Sequence, residues 1–346
     1  MKKIGIYCLL LIFVFVCCPF PAMLSAQEDR QQVGMVTGSS TGTYIRFGRE
    51  IAEQAQKYGV DIVVKESKGS IENIERLVSK ENAAFAIVQS DVLGVLKRSS
   101  SQESRKVAQR LRLIYPFYNE EVHLFAQTSI QKFSDLQGKR VVVGTKGSGN
   151  WLTAENLLQL TGVTPGEKLY LEPADAVQAV LLGEVDAMFY VAGKPTKQFL
   201  NLNEVQGKYP QLIEKVHFVP LNDAKMLQEY GVSQLGPQDY DWPAETVPTI
   251  AVKAALITFD FSAQSTPYYT MRCRQLAKLG QAIRENIDTL RATGHAKWKE
   301  VNLDEQLGLW EWDACSRSGG KAAAAGTVGK SGGLADDLEN TIKQGW

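Results

Sequence analysis

The chain is poor in the residues that most often carry chemistry. Among 346 residues there are three histidines and five cysteines. His123, His217 and His295 are scattered, and the two cysteines outside the N-terminal run, Cys273 and Cys315, lie far from them in sequence. No ligand spacing for a metal arises from such a set, and neither a metal nor a cofactor is expected. Charge of one sign is lacking too: 38 basic residues balance 38 acidic ones, so no field recommends nucleic acid as a partner. A phosphate loop is missing, because Gly329-Lys330-Ser331 would need its first glycine where Ala324 stands. No G-x-G-x-x-G follows either of the strands that open a βα unit.

Long apolar runs are absent with one exception. Lys2-Lys3 precede the run Ile4 to Cys18, and Leu24-Ser25-Ala26 stand before "QEDR". This is the grammar of a cleavable export signal over residues 1–26, with a mature chain from Gln27 in the periplasm. No later segment approaches the length of a bilayer span. Val16 before Cys17, and Cys17 before Cys18, stand where lipid attachment wants a small residue. In an oxidising compartment Cys273 and Cys315 form either one disulfide or two buried thiols. The mature length, roughly 320 residues, exceeds what one hydrophobic core usually supports, and two lobes are expected.

What is present is a repeated β-loop-α-β-α-β unit. Val33–Thr37 reads as a strand, Tyr44 to Ala55 recur at helical spacing until Gly59, Val60–Val64 is a β-branched strand, Ser70 opens a helix, and Ala83–Asp91 is a third strand. The grammar returns with strand Arg140–Gly144, the loop "TKGSGN", helix Trp151–Leu160 closed by Gly162, strand Lys168–Glu172, helix Ala174–Leu182 and strand Val185–Val191. Alternation of this kind implies parallel sheets that bind ligands at the carboxyl ends of their strands. Leu111–Tyr115 and Val122–Ala126 read as strands flanking "PFYNEE", a first crossing, and Val247–Phe259 as the strand of a return crossing. Tyr269–Thr293 is a helix with one apolar stripe, and residues 316–346, rich in Gly, Ala, Ser and Lys, form a tail. The division expected is 27–120 plus 247–315 for one lobe and 121–246 for the other, with hinges at Asn119–Val122 and Val247–Ile250.

The first loop decides between chemistries. Gly38-Ser39-Ser40-Thr41-Gly42 fits G-x-S-x-G, the elbow that presents a nucleophilic serine, and it lies between a strand and a helix as that motif requires. The elbow, however, follows earlier strands that supply an oxyanion hole, and no histidine stands in an obviously catalytic setting, so hydrolysis by Ser40 is the weaker reading and no enzyme is expected. A cradle needs only backbone amides at helix N-termini and short hydroxyl side chains around a negative group. Helix capping alone would explain any one such loop; their recurrence at several strand ends favours binding.

"TGSSTGTYIRFGREIA", "SIENIERLVSKENAAFAIVQSDV", "VGTKGSGNWLTAENLL" and "LLGEVDAMFYVAGKPT" together resemble the TAXI family, the solute-binding proteins of TRAP transporters, over Val33 to Trp312. The resemblance implies an α/β, two-lobed type II periplasmic binding protein fold, each lobe a mostly parallel sheet flanked by helices and joined by two crossing strands. It implies a monomeric receptor that captures a small organic anion or amino acid, dicarboxylate-type or glutamate-like, and delivers it to small and large TRAP membrane subunits, separate or fused. A receptor of the same fold serving a sensor is the alternative. By the same resemblance the ligand is held by Ser39, Ser40, Thr43, Tyr44, Ser70, Asn73 and Gln89 on one side, and by Ser148, Gly149, Asn150, Trp151 and Tyr190 on the other. The chain departs from the family pattern by placing Lys68, Lys146 and Lys194 on three of the loops, a rim of charge suited to a dicarboxylate, although long lysines also simply reach into solvent.

Overall fold

Residues 32–40, 42–79 and 83–318 are described in the computed structural model. The expected signal segment lies outside them, as do Thr41 and the tail from residue 319. The first half of the chain runs β1 (Val33–Val36), α1 (Thr43–Gln56), β2 (Ile62–Lys65), α2 (Ser70–Val78), β3 (Ala83–Gln89), α3 (Val92–Arg98), α4 (Gln102–Arg110) and β4 (Leu111–Gln127). The second begins with β5 (Arg140–Val142), α5 (Gly149–Thr161), β6 (Glu167–Leu169), α6 (Pro173–Leu182) and β7 (Ala187–Ala192). Short helices α7 (Lys197–Leu200), α8 (Leu202–Lys208) and α9 (Pro210–Ile213) follow, then β8 (Val216–Phe218) and β9 (Gly231–Leu235). The return strand β10 (Val247–Phe259) leads to α10 (Pro267–Glu285), α11 (Ile287–Thr293), a 3-10 turn at Ala296–Glu300 and α12 (Ala314–Arg317).

All strands join one sheet in the order β2-β1-β3-β10-β4-β7-β5-β6, with β8 beside β4 and β9 beside β10. The order is symmetric about its centre: β2-β1-β3 pair in parallel, and so do β6-β5-β7. Each triplet is closed by an antiparallel crossing strand, β10 on β3 and β4 on β7. The crossing strands are themselves antiparallel, with Phe259 opposite Leu111 at one end and Ala251 opposite Glu121 at the other.

The first crossing is one 17-residue strand, not two strands separated by "PFYNEE". Pro116 cannot donate to a ladder, and the register slips between Lys253 and Ala255, which lets the strand pass the proline without breaking. The helix expected over Tyr269–Thr293 is divided, with Asn286 between α10 and α11. Ala314–Arg317 is helical with Ser316 buried, so the first residues of the expected tail are packed on the fold.

Packing follows the two triplets. Val33, Phe47, Phe85, Phe117, Leu276 and Trp298 belong to one core cluster, and Leu124, Val141, Leu157, Phe189, Ile250 and Val252 to another. Helix α1 sits close on the sheet because residue 48 is glycine: a Cβ there would lie 2.7 Å from Thr37 Cγ2 and 3.0 Å from Val64 Cγ1. The same helix anchors the C-terminal segment. Phe47 stacks on Trp298 with ring centroids 4.2 Å apart, and Glu50 accepts from Trp298 Nε1 at 2.6 Å and from the His295 N–H at 2.9 Å. Cys273 and Cys315 are joined, and the disulfide pins α12 to α10, where a Cβ on Gly280 would lie 2.4 Å from Ser316 O.

The bond spans a separation of 42 residues. Loop-closure entropy for such a span predicts that the Cys273→Ala/Cys315→Ala variant loses about 4 kcal/mol of unfolding free energy. Urea unfolding of that variant against wild type measures the loss. No loss would mean that α12 contributes nothing to cooperative unfolding.

Candidate functional site

The polar loops occupy the carboxyl ends of the parallel strands, and short hydrogen bonds tie them to one another. Thr37 Oγ1 donates to Lys65 O at 2.9 Å, linking the end of β1 to that of β2. Asn73 Nδ2 donates to Thr37 O and to Ile87 O, each at 2.6 Å, so one buried amide clamps β1 to β3. Ser70 Oγ accepts from the Gln89 N–H at 2.9 Å. Ser70 and Asn73 are thus fully buried supports beneath the loop. Ser39 and Ser40 are exposed above them, and Thr43 and Tyr44 are half-buried in the first turn of α1.

The second half presents a matching loop. Gly144 and Gly147 take φ of 90° and 83°, and Ser148 caps α5 by accepting from the Trp151 N–H at 3.1 Å. Asn150 straddles β7 with its side chain: Nδ2 donates to Phe189 O at 3.0 Å, and Oδ1 accepts from the Val191 N–H. The residue between those two, Tyr190, is thereby fixed in orientation.

The two loops touch. A Cβ on Gly69 would lie 3.3 Å from Gly149 N, and a Cβ on Gly149 would lie 2.0 Å from Gln89 Oε1. Trp151 packs against core residues of both halves. Ser70, Asn73 and Gln89 are therefore brought against Ser148, Gly149 and Trp151, the N-terminus of α2 facing that of α5. Gln89 Oε1 and Asn73 Oδ1 are buried without hydrogen-bond partners.

The three lysines are dispersed. Lys68 is exposed. Lys146 Nζ lies 4.6 Å from the centroid of the Tyr170 ring. Lys194 is engaged with Asp239 at 3.1 Å and with Gln234 O at 2.6 Å.

Sequence reasoning missed a set of acids at the seam. Asp91 Oδ2, at the end of β3, accepts from Thr153 Oγ1 at 2.8 Å and from Tyr230 OH at 3.2 Å, both in the second half. Beside it Arg98 reaches Asn156 Oδ1 at 2.8 Å and Glu229 at 3.0 Å. Glu120 and Glu121 lie at the middle of β4, 7 % and 3 % exposed. Glu120 Oε2 accepts from Tyr44 OH at 2.6 Å, and Glu121 Oε2 accepts from the Lys194 N–H at 2.9 Å. Burial, with nearby Asp91 and Glu121, pushes Glu120 up to about 8, against the Tyr44 hydrogen bond and the positive charge of Lys297. The signal was available: two acids inside an apolar run that reads as a buried strand must be paired or functional.

Nothing at Ser40 completes a hydrolase. His123 is fully buried, with Nε2 2.8 Å from Tyr240 OH and its pKa driven down to about 3 by burial. His217 Nε2 contacts Ile130 O at 2.7 Å, and His295 Nδ1 accepts from the Lys297 N–H at 3.2 Å. Among the described residues no histidine bonds to Ser40, and no group of three or more His, Cys, Asp or Glu side chains is arranged to hold a metal.

Two triplets of order 2-1-3, each closed by an antiparallel strand crossing from the other half, with loops gathered at the carboxyl ends, define a type II periplasmic binding protein fold. The chain belongs to the NMT1-like family, whose model matches residues 35–309. Similar solved structures include a putative periplasmic sulfonate-binding protein, SsuA, from Methylobacillus flagellatus KT, at 14% identity over 76% of this chain and 72% of that one, TM-score 0.43. A putative L-cystine ABC transporter protein from Listeria monocytogenes matches at 16% identity over 75% and 91% of the two chains, TM-score 0.41. A histidine kinase sensor domain with similarity to periplasmic binding proteins matches at 13% identity over 79% and 98%, TM-score 0.44.

Two outcomes are expected from this geometry. Gly149→Ala must displace Gln89 or part the halves, so retention of bound solute should fall roughly tenfold, about 1.4 kcal/mol. Isothermal titration measures it, and an unchanged affinity in Gly149→Ala would mean that the close approach to Gln89 plays no part in binding. Asp91 titrates against the fold: burial raises its carboxyl to about 6 from the ordinary 3.8, although hydrogen bonds from Thr153 and Tyr230 pull it down. A raised folded-state value means that Asp91 contributes stability below about pH 4 that is lost as pH rises through about 6. Thermal midpoints between pH 4 and 8 should show that part of the slope in wild type and lack it in Asp91→Asn.

Proposed function

We propose that this protein is an exported solute receptor that captures a small organic anion or amino acid between two lobes and hands it to TRAP membrane subunits, as TAXI-type receptors do. The lobes are 27–120 with 247–315 and 121–246, and closure of one on the other signals occupancy to the permease. The observation that carries this reading is the meeting of two helix N-termini from opposite halves, at Gly69 and at Ser148-Gly149. Each offers the positive end of a helix dipole, the chemistry that receives a carboxylate. Exposed Ser39 and Ser40, with Thr43 in the first turn of α1, supply a third such terminus. The periplasm as location and a catalytically silent cleft belong to the same reading. The bonding of all three histidines to other partners supports the second point.

Native mass spectrometry of gently purified protein should release a small solute carrying a carboxylate. A thermal-shift screen should then rise with it, since a ligand at 100 times its Kd stabilises by about 2.7 kcal/mol. Ser40→Ala should leave the hydrolysis of simple aryl esters at the buffer rate, as in wild type. An ester hydrolysis that the substitution abolishes would replace the receptor with an enzyme. Vesicles holding TRAP membrane subunits from the same cell should accumulate the solute only when the receptor is added.

A further inference from the structure

The crossing point of the two long strands carries a surplus of buried carboxylate. Glu120 stands opposite Val252 and Glu121 opposite Ala251, while Gln89 ends β3 opposite Ala254 on the far edge of β10. Two strand spacings put Gln89 and Glu120 on the order of 10 Å apart across β10. Asp91 lies close enough to Glu120 to raise its proton affinity.

The basic side chains around this point each pair with another group, although Lys297 still acts on Glu120 as a nearby positive charge. Lys194 pairs with Asp239 at 3.1 Å, Lys253 with Glu305 at 2.9 Å and Lys297 with Glu300 at 2.7 Å. Lys297 lies along Gly193, where a Cβ would come within 2.7 Å of its Cε. Among the described residues, Glu120 has one hydrogen-bond partner, Tyr44.

Around Glu120 stand three phenol rings. Tyr44 binds it directly, Tyr118 is 1 % exposed, and Tyr190 is held by the bracket of Asn150. Burial and the nearness of Glu120 raise the proton affinity of all three. Electron-rich rings beside a buried carboxylate that no basic side chain contacts directly form a surface complementary to an ammonium group. Of the unpartnered buried atoms along the seam, Asp91 Oδ1, Gln89 Oε1 and Asn73 Oδ1 are acceptors, and Tyr118 OH can donate or accept. For Asn73 the orientation is set, because its Nδ2 donates to two carbonyls.

We propose that Glu120, ringed by Tyr44, Tyr118 and Tyr190, is the seat of a cationic, ammonium-type group on the bound solute. This rests on the receptor reading and narrows it: the ligand is a zwitterion whose carboxylate meets the helix N-termini and whose ammonium meets Glu120, rather than a plain dicarboxylate. Because burial keeps a proton on Glu120 at neutral pH in the absence of solute, arrival of the ammonium expels that proton.

The probes are the common L-amino acids, each paired with the carboxylic acid that lacks only its amino group, for instance L-glutamate with glutarate. At least one amino acid should raise the thermal midpoint while its desamino partner does not. Calorimetry of that amino acid at pH 7 in phosphate and in Tris should reveal release of about one proton. Glu120→Gln should weaken binding at least tenfold and abolish the release, and Glu120→Asp, which keeps the charge but withdraws it by one methylene, should weaken binding several-fold. The unliganded midpoint of Glu120→Gln, expected at or above wild type, checks that the variant folds. Equal binding of a desamino partner, or undiminished binding by Glu120→Gln, overturns the seat and leaves the receptor intact. A panel in which no amine binds also overturns it, and the receptor reading then stands or falls on the co-purified solute.

Discussion

The structure depends on the antiparallel ladder between β4 and β10. Each strand begins in one parallel triplet and ends in the other, so the backbone hydrogen bonds of the crossing hold the two halves together continuously. Relative motion can enter only where the strands change partners. β10 leaves β3 at Ala254 and takes up β9 at Ala251, and β4 takes up β7 at Glu121. That change of partners, with its register slips, is the softest part of a stiff ladder. The chain places its buried acids there.

The electrostatics of the seam are organised from the same point. Helix N-termini bring partial positive charge from both sides, at the loops after β1, β2 and β5, while Asp91, Glu120 and Glu121 bring negative charge from the sheet itself. Water is largely displaced from the acids, so their charge is costly until something complementary arrives. Asp91 with Thr153 and Tyr230, and Arg98 with Asn156 and Glu229, span the two halves beside the same seam. Contact between the halves thus exchanges hydration for hydrogen bonds across the seam.

Much of the architecture was legible because it is local. The strand-helix alternation of both units, the span of β10 and the closure of α5 at Gly162 follow from periodicity and from glycine at a left-handed position. β4 was misjudged because Pro116 and two glutamates are all disfavoured inside a strand, and only a partner strand with matching irregularity makes room for them. Asn286 divides the long C-terminal helix, while the apolar stripe runs on through Ile287 and Leu290. Of the residues expected at the site, Ser70 and Asn73 are committed to holding loops together, and Lys194 to Asp239. Residue type tells what a side chain can bond, not which partner is nearer.

The sequence by itself determined the two repeated units and the polar loops at the ends of their strands, because each is written in neighbouring residues. Tertiary structure alone decided that Gly69 meets Gly149, that Cys273 bonds Cys315, and that Glu120 lies buried among tyrosines from α1 and β7. Those contacts join residues 42 to 80 positions apart or more, and which of many chemically similar partners meet is set by how the two crossing strands bring the halves together.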